Sequence, residues 1–198
     1  MVQPHPLQPL IDQFSILPGI GKKSAQRLAF YILSLPEKDV VRFAEVMKFT
    51  KQTVGYCERC FNLSIESLCT ICNDSTRDES RLCVVAEPKD ILALEKTFEY
   101  KGCYHVLGGY ISPMDGVHSD SLRIQELLQR LRSGTFSELI LALNPTIEGD
   151  ATVHYLKQCL EPYDISVTQL AYGLPFGGDI DYTDELTLQK AFLGRTKV

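Results

Sequence analysis

The chain has 198 residues, 44% hydrophobic and 23% charged, with a formal net charge of −5 at pH 7. That apolar content supports one medium domain or two small ones with a real core, and it excludes a disordered chain. No apolar run approaches the roughly 18 residues a membrane helix needs, and the proline-rich first ten residues lack the charged and apolar regions of a secretory leader; a soluble, cytoplasmic protein without membrane contact is expected.

The charge is unevenly placed. Residues 1–56 hold seven Lys and Arg against four Asp and Glu, whereas residues 81–198 hold eleven against sixteen. A negative total does not advertise a nucleic-acid binder, but phosphate contact depends on local patches, and the basic excess lies at the N-terminus.

Residues 7–50 read as helices. Leu7, Leu10, Ile11 and Phe14 share one apolar face, Leu17-Pro18-Gly19-Ile20-Gly21 interrupts it, and a second helix is expected over about 22–33 with Ala25, Leu28, Ala29 and Ile32 at helical spacing. Ser34 with Glu37 three residues on gives a capping box, with Pro36 in the first turn. It opens a third helix whose Val40, Phe43, Ala44 and Met47 are expected to face inward. The interruption looks like a helix-hairpin-helix nucleic-acid-binding motif. Gly19 and Gly21 let the backbone turn tightly and approach a phosphate, and the N–H groups at the following helix start point outward as donors. Lys22 and Lys23 add charge beside them, and Arg27 lies one turn after Lys23 on the same face. Nothing in this set reads base edges, so DNA binding independent of sequence is expected. An ordinary helix–helix turn with a solvated charge cluster is the structural alternative. A P-loop is excluded, because Ile16 stands where its first Gly would be and Lys23 where Ser or Thr would follow Lys22.

Cys57, Cys60, Cys69 and Cys72 form two C-x2-C knuckles. A knuckle lets two thiolates reach one ion from a tight turn, and two knuckles complete a tetrahedral sulfur set that suits Zn2+. All four ligand positions are sulfur, so none is left for water and the zinc is structural. Two disulfides are the competing reading. Cys83, Cys103 and Cys159 lie in apolar or mixed stretches and are expected to be inert thiols. Residues 73–80 are polar and read as a linker.

After Arg81 the texture changes to short apolar runs at 82–86, 104–107, 139–143 and 165–171, separated by amphipathic stretches at about 90–100, 120–133 and 150–161. Alternating buried strands and helices imply right-handed crossovers and a parallel sheet. Glu87 directly follows the first run, and Glu148 and Asp150 follow the third. Ligands of open parallel sheets sit at the carboxyl ends of strands, where three converging carboxylates would suit Mg2+. The pattern resembles the Toprim domain of topoisomerases and primases, with Glu87 in place of that family's first Glu and Glu148-x-Asp150 in place of its Asp-x-Asp. The extra methylene of Glu148 departs from that pattern. A metal site, a solvated acidic edge and a surface that docks a basic partner protein therefore all stay open. His5, His105, His118 and His154 match no ligand spacing, and surface or satisfied core roles are expected for them.

The order of helix-hairpin-helix, four-cysteine zinc knuckles, Toprim-type α/β segment and glycine-containing tail resembles, over essentially the whole chain, the RecR family of bacterial recombination mediators. Residues 106–116 (VLGGYISPMDG), 144–152 (NPTIEGDAT) and 173–178 (GLPFGG) match that family's pattern. The resulting fold class is α+β in several parts: a helical helix-hairpin-helix region over 1–56, a zinc finger over 57–72, a linker over 73–80, a parallel Toprim-type sheet over 81–175, and an extended C-terminal oligomerisation tail over 176–198. The resemblance implies a non-enzymatic, nucleoid-associated DNA-repair protein. Such a protein works with RecO and RecF to load RecA onto gapped DNA, as a homo-oligomer between a dimer and a tetrameric ring. It further implies that Lys22, Lys23 and Arg27 face DNA and that Glu87, Glu148 and Asp150 contact RecO. A Mg2+-dependent Toprim nuclease or primase-like enzyme is the alternative, and a zinc-stabilised protein-interaction module with incidental basic residues is a third.

Overall fold

A computed structural model describes residues 5–196. The chain divides into two compact units, Met1–Val54 and Gly55–Val198.

The first unit has three helices, α1 (Gln8–Ser15), α2 (Lys22–Ser34) and α3 (Glu37–Thr53). Ile11 of α1 meets Ala25 and Ala29 of α2, with Leu7, Leu10, Phe14 and Ile20 packed around them. The small alanines let the two helices approach closely. The connection is a β-turn in which the Ile20 N–H donates to the Leu17 carbonyl at 3.1 Å. Pro18 presets the second turn position, and Gly19 takes a φ of +77° at the third, the signature of a type II turn and a conformation costly for any side chain but glycine.

Two expectations for this unit are corrected. The capping box does not form: the N-cap of α3 is Pro36, without a side-chain cap, and the Ser34 hydroxyl donates back to the Tyr31 carbonyl. A hydroxyl one turn from the preceding carbonyls satisfies itself locally before it can cap forward. Nor does α3 bury Val40, Phe43, Ala44 or Met47, since none of its residues is buried. Apolar periodicity marks a face to be covered without naming what covers it.

The second unit opens with a two-stranded antiparallel hairpin, β1 (Gly55–Tyr56) and β2 (Leu63–Ser64). There follows a four-stranded parallel sheet of β3 (Asp78–Val85), β4 (Gly102–Val106), β5 (Glu138–Ala142) and β6 (Ser166–Gln169), in the order β4-β3-β5-β6. Three helices connect these strands: α4 (Pro88–Glu95), α5 (Ile124–Ser133) and α6 (Ile147–Leu160). Residues 73–80 are not a free linker. β3 already begins at Asp78, whose carboxylate accepts from Ser80 N and Arg81 Nε. Polar side chains at a strand's solvent end obscure its start. The tail is not extended throughout, for it carries α7 (Glu185–Leu193), N-capped by Asp184.

One face of the sheet, with Leu82, Val84, Leu139 and Leu141, packs against α5 and α6 through Leu127, Leu131, Val153 and Leu156. The other face, with Cys83, Val85, Tyr104 and Val106, is covered by Ile91 of α4 and by Phe61 and Ile71 from the cysteine segment. A parallel sheet must be covered on both faces, and here the knuckles supply part of the second cover. They also shield an edge. The outward-facing N–H of Val106 on edge strand β4 donates to the Cys60 carbonyl at 2.8 Å, and the outward carbonyl of Tyr104 accepts from Arg130 Nη1 at 2.6 Å. An edge strand left bare invites pairing with other chains.

Candidate functional site

Cys57, Cys60, Cys69 and Cys72 are all buried, with their sulfurs within 4.8 Å of one another. Backbone bonds shape each knuckle: Phe61 N donates to the Cys57 carbonyl and Asn73 N to the Cys69 carbonyl. The first knuckle ends on Phe61 at a φ of +62°. Cys60 Sγ and Cys69 Sγ lie 3.6 Å apart. A disulfide would need about 2.05 Å, and all four cysteines are free, so the disulfide reading falls. Four sulfurs at about 2.3 Å from a tetrahedral metal stand about 3.8 Å apart, close to the Cys60–Cys69 separation and inside the 4.8 Å that bounds the whole set. Crowding already perturbs the thiols: the interaction of Cys60 with Cys72 draws Cys72 down to about 6, while that interaction and burial push Cys60 far up. With every donor a sulfur, the set suits structural zinc, which would hold the two knuckles together and leave no position for substrate.

The knuckles are fastened to the sheet. Arg59 donates to the Cys72 carbonyl, and the Phe61 ring meets His105 edge-on at 5.5 Å with the Arg123 guanidinium 5.0 Å from its centroid. His105 is the one histidine that departs from its expected role. It is fully buried, one ring nitrogen contacts the Arg123 carbonyl at 2.8 Å, and Nδ1 has no partner among the described residues. Burial pushes its pKa down to about 4, which keeps the ring neutral. Cys83 and Cys103 are buried, and burial pushes Cys83 up to about 12.

In the helical unit, Lys22, Lys23 and Arg27 are exposed, as are Gly19 and Gly21. Among the described residues none of the three cations lies in an ion pair. Gly21 is the N-cap of α2 and offers no side-chain acceptor, so the first amides of the helix are left uncapped. Open space surrounds both glycine α-carbons on the side where a Cβ would stand.

The three carboxylates take separate places. Glu87 is the N-cap of α4, and its own N–H donates to Asp90 Oδ2 at 2.8 Å. Its carboxylate lies 2.6 Å from Lys89 Nζ. Glu148 and Asp150 occupy the exposed first turn of α6, and Asp150 lies 2.6 Å from Lys190 Nζ of α7. Among the described residues, the cysteines form the one group of three or more Cys, His, Asp or Glu whose ligand atoms converge. Gly149 is required for close approach, because a Cβ there would collide with the Asn144 carbonyl oxygen. Sequence reasoning missed Lys89, Lys190, Tyr172 and Arg130. Lone basic residues carry no motif: Lys89 stands two positions from its carboxylate, and the fold brings Lys190 to a carboxylate and a ring and Arg130 to a strand edge.

These features define a class: a helix-hairpin-helix unit joined in sequence to a zinc-stapled, Toprim-type α/β unit. Comparison with known families agrees segment by segment. The RecR helix-hairpin-helix model matches residues 7–49, the RecR four-cysteine zinc-finger model 54–74, the Toprim model 80–171 and the RecR C-terminal model 173–196. Two curated proteins, from Synechococcus elongatus and another Synechococcus strain, are each 50% identical over 194 residues, covering 98% of this chain and 97% of their own; both are named "Recombination protein RecR". The chain belongs to the RecR family.

Proposed function

We propose that this protein is a non-enzymatic, sequence-independent DNA-binding mediator of homologous recombination, cytoplasmic and nucleoid-associated. It acts with RecO- and RecF-type partners to promote RecA loading on gapped DNA. The observation that carries this reading is the start of α2, which combines uncapped amides, two exposed glycines and three exposed cations that form no ion pair among the described residues. Helix N-terminal amides donate to phosphate oxygens, and Lys22, Lys23 and Arg27 add the charge that makes such contact salt-dependent. Family membership supports the recombination role.

One patch makes few phosphate contacts, and the −5 total repels DNA elsewhere. Several copies in a closed homo-oligomer, from a dimer to a tetrameric ring, concentrate the attraction. The exposed apolar side chains of the helical unit, Phe30, Tyr31, Leu33, Phe43, Val46 and Met47, support such assembly. Glu87, Glu148 and Asp150 serve as a docking surface for a basic partner. Glu87 and Asp150 already hold lysines of this chain, an arrangement suited to exchanging one ammonium for another.

The test is DNA binding titrated against salt, with solution mass and Mg2+-dependent products followed on the same sample. Salt-sensitive binding by an oligomer that leaves DNA intact is expected. Lys23→Gln with Arg27→Gln should weaken binding and lower the salt slope by up to about two. Unchanged affinity and slope would reject the DNA-facing assignment. Products that form with Mg2+ and vanish in Asp150→Asn would make the protein a Toprim enzyme.

A further inference from the structure

The second face of the sheet is covered by α4 and the knuckles, and the C-terminal helix α7 lies beside α4 and the segments that follow β5 and β6. The packing of α7 there is incomplete. A cavity of about 400 Å³ lies under α7, lined by Leu94, Leu143, Pro145 and Ala171 on one side and by Leu186 and Lys190 on the other. The helix buries none of its residues, and Leu186, Phe192 and Leu193 are 58%, 72% and 76% exposed. Nine residues are too few to stand as a helix without tertiary support, and apolar burial supplies little of it here.

The polar contact is better built. Lys190 Nζ lies 2.6 Å from Asp150 Oδ2, and its side chain is only 24% exposed. The same ammonium stands 4.4 Å from the centroid of the Tyr172 ring. The Tyr172 hydroxyl donates toward Asp150 Oδ1 at 3.5 Å and accepts from Gln169 Nε2. One lysine therefore joins α7 to the first turn of α6 and to the segment that follows β6.

We propose that Lys190 is a latch that holds α7 down on the acidic end of the sheet, so that its release uncovers the Asp150 carboxylate and the cavity in one movement. A half-exposed ion pair is a weak hold, readily screened by salt or displaced by another cation. A basic group of a docking partner and the chain's own Lys190 cannot occupy the same oxygen, so closure of α7 and engagement of Asp150 exclude one another. The purpose of the latch rests on the proposed docking role of the carboxylates; its existence does not.

Two readouts on the intact zinc-loaded protein test it: carbodiimide labelling of carboxylates, with Glu148 as internal reference, and amide hydrogen exchange of residues 185–193. In the wild type, Asp150 should label more slowly than Glu148. Lys190→Gln should raise Asp150 labelling and 185–193 exchange by about two- to fivefold while Glu148 stays constant. Lys190→Arg should keep the protection, and rising salt should carry the wild type toward the Gln variant. Asp150→Asn approaches from the other partner and should speed exchange in the unaltered α7. Equal labelling of Asp150 and Glu148 in the wild type, or unchanged 185–193 exchange in Asp150→Asn, would overturn the latch. A tetralysine peptide separates the two ideas. If labelling rises in Lys190→Gln but the peptide binds it no better than the wild type, the latch stands and the docking role falls.

Discussion

The two units solve the problem of covering apolar surface in opposite ways. Among the described residues, the main cluster of the sheet unit buries sixteen side chains, Leu82 through Leu160, while the helical unit buries three. Where α5 and α6 close over a continuous sheet, α5 buries Ile124, Leu127, Leu128 and Leu131, and α6 buries Val153, Leu156 and Leu160. Where α2 and α3 have no sheet, Phe30, Tyr31, Phe43, Val46 and Met47 stay exposed. The sheet unit is organised around an interior and a metal, and the helical unit around surfaces that await other molecules.

The largest test of this contrast is the metal. Cys72→Ser should abolish zinc binding and unfold the cover over β4. Zinc coordination contributes about 10–16 kcal/mol in finger peptides, so this should exceed any single core change. Metal analysis together with thermal unfolding checks it, and amide exchange in α2 should not move. Next come two matched truncations. Leu141→Ala should cost about 2–5 kcal/mol in urea unfolding, whereas Met47→Ala should stay within about 0.5 kcal/mol. Comparable losses would abolish the distinction between the units.

Gly19→Ala should cost about 1 kcal/mol through its left-handed φ, confined to the helical unit, and DNA affinity should fall with it. The smallest effect concerns pH. The hydrogen bond and charge of Arg77 hold the Glu95 carboxyl below its ordinary value. Its stabilisation is therefore complete above the ordinary carboxyl range and is lost as pH falls through the depressed folded value. Glu95→Gln should cost up to about 1 kcal/mol at pH 7 and nothing in strong acid. Because no ion pair lies in the helical unit among the described residues, urea titrations across pH 3–7 (about the carboxyl range) should register this in the sheet unit alone.

Much of this was legible beforehand because certain patterns are local. The knuckle spacing names its own chemistry, the short apolar or alternating runs mark the four strands, and Leu17-Pro18-Gly19 specifies its turn. The start of β3 at Asp78 was hidden because its first residues are polar and tied to one another by side-chain bonds. The periodicity of α3 was real but read as interior, since sequence spacing cannot distinguish a core from an unfilled interface. The convergence of Glu87, Glu148 and Asp150 was inferred from strand ends alone. The fold instead gives Glu87 to an N-cap and Asp150 to Lys190, a contact that bridges forty positions.

The bond from Val106 to the Cys60 carbonyl sets an order of events during synthesis. Protein chains emerge N-terminus first, so both knuckles leave the ribosome ~30 residues before β4 does. The shield for that edge can thus be loaded with metal before the strand it protects exists. In a zinc-starved cell the sequence of arrival is unchanged but the shield is soft, and β4 emerges as an unguarded pairing edge. Zinc depletion during synthesis is then expected to raise the aggregated fraction of newly made chain as well as to lower the stability of the finished protein.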